Sequence, residues 1–130
     1  MATRYDVNQL LADTRSRISR LTPSQLQEAI AVGALVVDTR SADDRRREGT
    51  IAGSFHVPLS VLLWRLDPAS ESTSPVLNDL HEQKVLVCRD GYSSSWAGAT
   101  LVDLGFTNVA DLDGGFRGWV ADGFPIVPVD

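Results

Sequence analysis

Cys88 is the one cysteine in this chain of 130 residues, and its neighbours give it the surroundings of a nucleophile. Lys84-Val85-Leu86-Val87 runs into it as an apolar strand. Arg89-Asp90-Gly91-Tyr92-Ser93-Ser94-Ser95 follows as a short polar loop, and Trp96 to Val102 reads as helix. A thiol at the carboxyl end of a strand, ahead of a glycine-bearing loop and a helix N-terminus, lies where backbone N–H groups can converge on an anion. The positive end of the helix dipole favours the thiolate, the nucleophilic form. A free cysteine by itself is more often a small buried core residue. The loop behind this one turns the reading towards a reactive thiol.

The elements that must position Cys88 follow from periodicity and caps. Val7, Leu10, Leu11, Thr14 and Ile18 recur at helical spacing and predict an amphipathic helix over 6–16 that packs on the domain. Thr22, Pro23 and Gln25 form a capping box with proline at the first helical position, and Gly33 ends that helix. Ala34 to Val37 is a short apolar run, a strand buried on both faces that ends in Asp38-Thr39-Arg40. A charged helical turn over Asp43 to Glu48 precedes a short strand at Phe55-His56-Val57 and a helix over Leu59 to Leu66. Residues 67–78 are loop. After the strand at 84–87 come a helix over 94–104, a strand at Val109 to Leu112, a Gly114-Gly115 turn and a last short helix through Trp119. Alternating helices and short apolar strands imply a mostly parallel sheet with helices on both faces, with ligands outside the carboxyl ends of its strands. Asp38 and Cys88 both lie at such ends.

Composition bounds the function. Hydrophobic residues make up 43% and charged residues 22%, as in an ordinary globular domain. The net charge of −5 argues against nucleic acid and anionic membranes as partners. No apolar run approaches the ~20 residues of a membrane span. A lone cysteine excludes an intrachain disulfide, and His56 and His81 are too far apart in sequence to suggest a metal site. No metal or cofactor is expected. The N-terminus lacks the order of a signal peptide, so the expected location is the cytoplasm, where a free thiol stays reduced.

Four ordered blocks carry a resemblance. They are Val36-Val37-Asp38-Thr39-Arg40; Gly49-Thr50-Ile51-Ala52-Gly53-Ser54-Phe55-His56-Val57-Pro58; Val85-Leu86-Val87-Cys88-Arg89-Asp90-Gly91-Tyr92-Ser93-Ser94; and Gly114-Gly115-Phe116-Arg117-Gly118-Trp119. In this order they resemble the single-domain rhodaneses, a family of sulfurtransferases. The match spans roughly residues 19–127 of a single domain over 1–130, with 1–18 as an N-terminal helical extension. It implies a rhodanese-like α/β fold whose sheet has about five short strands.

The resemblance also implies a mechanism. A small sulfur-containing donor, thiosulfate or a persulfide, would pass its sulfane sulfur to Cys88, and a thiol or cyanide acceptor would take it from the Cys88 persulfide. The loop residues Arg89, Asp90, Gly91, Tyr92, Ser93 and Ser94 would bind the substrate. Gly91 would let the loop curl, and Ser93 and Ser94 would either donate to the sulfur or cap the next helix. Ser93 stands where many members carry an arginine that helps hold an anionic donor, and Thr50 replaces a commoner histidine in what reads as a structural place. Asp38 is read either as a structural carboxylate for loop amides or Arg40, or as support for the site. Arg45 is read either as part of a solvated helix face or as a replacement cation reaching the pocket. His56 reads as a satisfied semi-buried histidine. Trp64, Trp96 and Trp119 read as packing, with Trp96 near enough to wall the pocket.

Two other functions remain open on the sequence. A cysteine-loop phosphatase or arsenate reductase would need an arginine six residues after the cysteine, where this chain has Ser94. A rhodanese-like module used for binding or redox sensing would also need a reactive thiol.

Overall fold

The central strand is short and wholly apolar at its core, which is what burial on both faces requires. The computed structural model describes residues 3–129. Its sheet is built from β1 (Ser19–Leu21), β2 (Leu35–Asp38), β3 (Phe55–His56), β4 (Lys84–Val87) and β5 (Val109–Leu112), all parallel, in the order β1-β5-β4-β2-β3. β4 therefore lies in the middle, between β5 and β2, and every residue of it is buried. Cys88 follows directly from the most protected strand. The end of β2 is fastened to the end of β4, because Thr39 donates its N–H and its hydroxyl to the Val87 carbonyl at 2.9 and 3.1 Å.

The helices are α1 (Val7–Arg15), α2 (Pro23–Ala31), α3 (Ala42–Glu48), α4 (Leu62–Leu66), α5 (Ser93–Asp103) and α6 (Gly115–Ala121). They cover both faces of the sheet. On one face Leu62, Leu66, Ala97 and Leu101 of α4 and α5 pack on Val37, Leu86 and Val109. On the other, Leu26, Phe116 and Trp119 of α2 and α6 pack on Val36, Val85, Val87 and Ala110. Sequence alternation along each strand decides which face a side chain enters.

Caps set the helix boundaries. Asp6 and Gln9 form a capping box on α1, and Thr22 and Gln25 form one on α2. The segment expected as one helix over 59–66 is a turn of 3₁₀ helix at Leu59–Val61 followed by α4. β1 was not expected. Its three residues, Ser-Arg-Leu, are too few to show a period, and it forms because β5 offers an open edge. α1 packs against α5, so the N-terminal extension lies beside the helix that leads out of the Cys88 loop. Among the described residues no helix is long and apolar enough to cross a membrane. No group of three or more His, Cys, Asp or Glu among them is placed to hold a metal ion.

Candidate active site

Cys88 is buried, with 5% of its surface exposed. Among the described residues, two groups hydrogen-bond its sulfur. The Gly91 N–H donates to Sγ at 3.1 Å, and the thiol donates to Ser94 Oγ at 3.2 Å. The helix that follows, α5, begins at Ser93 with no side-chain cap, so Ser94 serves the sulfur rather than the helix end.

The loop holds this shape because its carbonyls are drawn outward. The Cys88 carbonyl accepts from the Phe116 N–H at 2.8 Å and the Arg89 carbonyl from the Arg117 N–H at 3.0 Å. These are first-turn amides of α6 that have no partner inside their own helix. The Gly91 carbonyl accepts from Arg15 Nη2 at 2.8 Å and Arg20 Nη2 at 2.9 Å. Each outward carbonyl leaves the inner side of the loop to N–H groups. Several loop amides were expected on the sulfur. Among the described residues Gly91 supplies the one hydrogen-bonded amide, and Ser94 completes the seat.

Glycine is required at two places in this contact. Gly91 has φ +86°, and a Cβ there would lie 2.9 Å from the Gly114 nitrogen. Gly115 has φ +63°, and a Cβ there would lie 2.6 Å from both the Arg89 oxygen and the Gly91 nitrogen. A side chain at either position forces the loop and the β5–α6 turn apart. Gly115→Ala is therefore expected to lower turnover by on the order of tenfold or more while the chain still folds, since a displaced loop amide costs geometry at the sulfur. Steady-state kinetics beside a thermal melt check this. Wild-type kinetics in the variant would contradict it.

Asp38, Arg40 and Arg45 form a second network at the end of β2. The Asp38 carboxylate accepts from Arg40 N, Nε and Nη2 at 3.0, 3.1 and 2.7 Å, from Arg45 Nε at 3.2 Å and from Thr50 Oγ1 at 2.9 Å. Burial by itself would push this carboxyl up, but the hydrogen bonds and charge of Arg40, with the Thr50 hydroxyl, hold it below its ordinary value of 3.8. The Arg40 guanidinium lies 3.7 Å over the Phe116 ring and also donates to the Gly49 carbonyl at 2.7 Å. His56 Nε2 lies 2.8 Å from the Arg40 carbonyl. Among the described residues no hydrogen bond joins Asp38, Arg40 or Arg45 to residues 88–94. Of the other loop residues, Arg89, Asp90 and Tyr92 are exposed, with Arg117 3.3 Å from Asp90.

Sequence reasoning missed Arg15, Arg20, Ser95 and Asp111, which lie behind the loop. Asp111 is wholly buried and accepts from Ser94, Ser95 and Arg20. The available signal was an aspartate inside the apolar run Val109 to Leu112, because a buried carboxylate needs a cation or several donors. Two of the three tryptophans also differ from expectation. Trp119 is core, but Trp64 is 60% exposed and Trp96 48% exposed. They border an open apolar groove of about 500 Å³ between α4 and α5, which none of the described residues covers.

This geometry agrees with what comparison with known proteins finds. The sequence matches the family description "Rhodanese-like domain" over residues 22–122. The chain belongs to the rhodanese-like domain family. The protein named thiosulfate sulfurtransferase GlpE from Pseudomonas savastanoi is 37% identical over 106 residues, 82% of this chain and 91% of that one. Its namesake from Pseudomonas aeruginosa PAO1 is 35% identical over 109 residues, 84% of this chain and 87% of that one. Among solved structures, a protein of unknown function from Rhodopseudomonas palustris, described as a possible tyrosine phosphatase, superposes with a TM-score of 0.87 at 31% identity. That likeness covers 98% of this chain and 97% of the other. The shared fold therefore extends over nearly the whole of this chain.

Proposed function

We propose that the protein is a sulfurtransferase that carries sulfur as a persulfide on Cys88. One observation carries this reading: the Cys88 sulfur sits against the Gly91 N–H and the Ser94 hydroxyl, with the Asp111 carboxylate directly behind that hydroxyl. Such a seat suits a monoanionic sulfur. In the first step the Cys88 thiolate attacks the outer sulfur of thiosulfate, a new S–S bond forms, and sulfite leaves with the electron pair of the old one. In the second step cyanide or a thiolate attacks the outer sulfur of the persulfide, and the Cys88 thiolate leaves. No oxidant is consumed, and the enzyme returns to its starting state. The Gly91 amide stabilises the anionic sulfur in place, an electrostatic contribution that needs no reorganisation.

A phosphatase fits these residues poorly. A phosphate dianion needs an arginine fork in the loop, and the residue in that place is Ser94, backed by a second negative charge at Asp111. Parallel assays separate the two activities. Thiosulfate-to-cyanide transfer is expected, and hydrolysis of an aryl phosphate is not. A phosphatase rate lost in Cys88→Ser, without sulfur transfer, would reverse the assignment.

The donor is expected to be sensitive to position 93. Ser93 is partly exposed at the first position of α5. A guanidinium there adds a charged donor for an anionic substrate. Ser93→Arg is expected to raise kcat/KM for thiosulfate by roughly tenfold, the worth of one charge-assisted hydrogen bond. An unchanged rate would mean that another cation already holds the donor, or that the donor is not thiosulfate.

A further inference from the structure

Asp111 is a charge buried beside a site that must itself become negative, and its partners are arranged with donors to spare. Oδ1 accepts from Arg20 Nε at 2.9 Å, while Oδ2 accepts from Ser94 at 2.7 Å, Ser95 at 2.8 Å and Arg20 Nη2 at 3.3 Å. Arg20 places its other donors on Asp113 Oδ1 at 3.0 Å and on the Gly91 carbonyl at 2.9 Å. Arg15 grips the same carbonyl and reaches Ser95 Oγ at 3.1 Å.

We propose that Arg20 and Asp111 are positioning residues that set the charge and the direction of the hydrogen bonds at Cys88, acting through Ser94 and Gly91. The proposal rests on Cys88 being the reacting thiol. Ser94 has one hydroxyl proton. While Cys88 is a thiol, it donates to Ser94 Oγ, and Ser94 donates to Asp111. A thiolate has no proton to give, so the Ser94 proton turns from Asp111 to the sulfur. Asp111 tolerates the loss because Ser95 and Arg20 remain on it. Without Arg20 the carboxylate would face the thiolate uncompensated; without Asp111 the guanidinium would face it alone. The burial of Arg20 opposes its own charge, yet the hydrogen bond and charge of Asp111, followed by Asp113 and Cys88, hold its guanidinium above the ordinary range.

The other charged groups around the site are Arg15 on α1, Asp113 after β5, Arg89, Asp90 and Arg117 at the rim, and Asp38, Arg40 and Arg45 at the end of β2. All are common to the variants below, so they cancel in the differences.

The test is the pH dependence of Cys88 alkylation by iodoacetamide, followed by intact mass with no sulfur donor present. Arg20→Met is expected to move the midpoint to higher pH by about one unit, and Asp111→Asn to lower pH by about the same. The double variant is expected within roughly half a unit of wild type, and it should fold, since losing both halves of a buried pair costs less than losing one. A role confined to holding the loop would move both single variants the same way. That outcome, two unmoved midpoints, or a double variant that fails to return would overturn the proposal. If Arg20→Met does not fold, Asp111→Asn decides alone, since it keeps the shape and one acceptor oxygen. Alkylation needs no donor, so these shifts are read even if the chain never accepts sulfur from thiosulfate.

Discussion

Cys88→Ala is expected to reduce sulfur transfer by on the order of 10⁴-fold or more, leaving the background rate, because the covalent step has no other acceptor in a chain with one cysteine. The fold should survive. The substitution removes one sulfur from a buried site and leaves the Gly91 N–H and the Ser94 hydroxyl without that partner. Ser94 keeps Asp111, so the cost is about 1–2 kcal/mol. Large loss of turnover with a small loss of stability marks a reacting group. A variant that keeps a tenth or more of wild-type turnover would exclude Cys88 as the sulfur carrier.

Asp38→Asn is expected to act in the opposite sense, chiefly on stability. Asp38 and Arg40 are both buried, and the carboxylate gathers donors from Arg40, Arg45 and Thr50. Asparagine keeps one acceptor oxygen but leaves the buried Arg40 charge with only the longer Glu48 contact at 3.7 Å, which costs about 3–5 kcal/mol. For a domain of this size that lowers the melting temperature by roughly 10–20 °C. The pH dependence has a definite sign. The folded carboxyl is held below 3.8, so its contribution is fully present above that value and is lost as pH falls through the lower folded value. Thermal melts of both proteins from neutral pH to about pH 3 should show the gap narrowing only in acid. A constant gap would mean that shape, not charge, is what Asp38 supplies.

The contrast between these residues shows what the sequence makes legible. Cys88, Gly91 and Ser94 lie within one loop, so their meeting could be read from local spacing, and the structure places the Gly91 N–H and the Ser94 hydroxyl on the Cys88 sulfur. β4 and β2 were legible because burial on both faces demands continuous apolar runs. The clamp behind the loop was not. Arg20 and Asp111 are 91 positions apart, and their meeting depends on β1 adding to the edge of β5. A three-residue strand has no period to detect. The exposure of Trp64 and Trp96 was likewise hidden, because helical spacing gives a shared face but not what covers it. Arg45 shows a related limit: it read as a solvated helix face or as a cation reaching the pocket, and the structure pairs it with Asp38.

The persulfide itself is the most direct test. The pure, reduced protein is incubated with excess thiosulfate, freed of the small molecule and weighed intact by mass spectrometry. The expected result is a gain of one sulfur atom, located on Cys88, removed by cyanide and absent from Cys88→Ala. A mass unchanged by thiosulfate and by other sulfane donors would contradict it, and would leave the buried thiol as part of a binding or redox-sensing module.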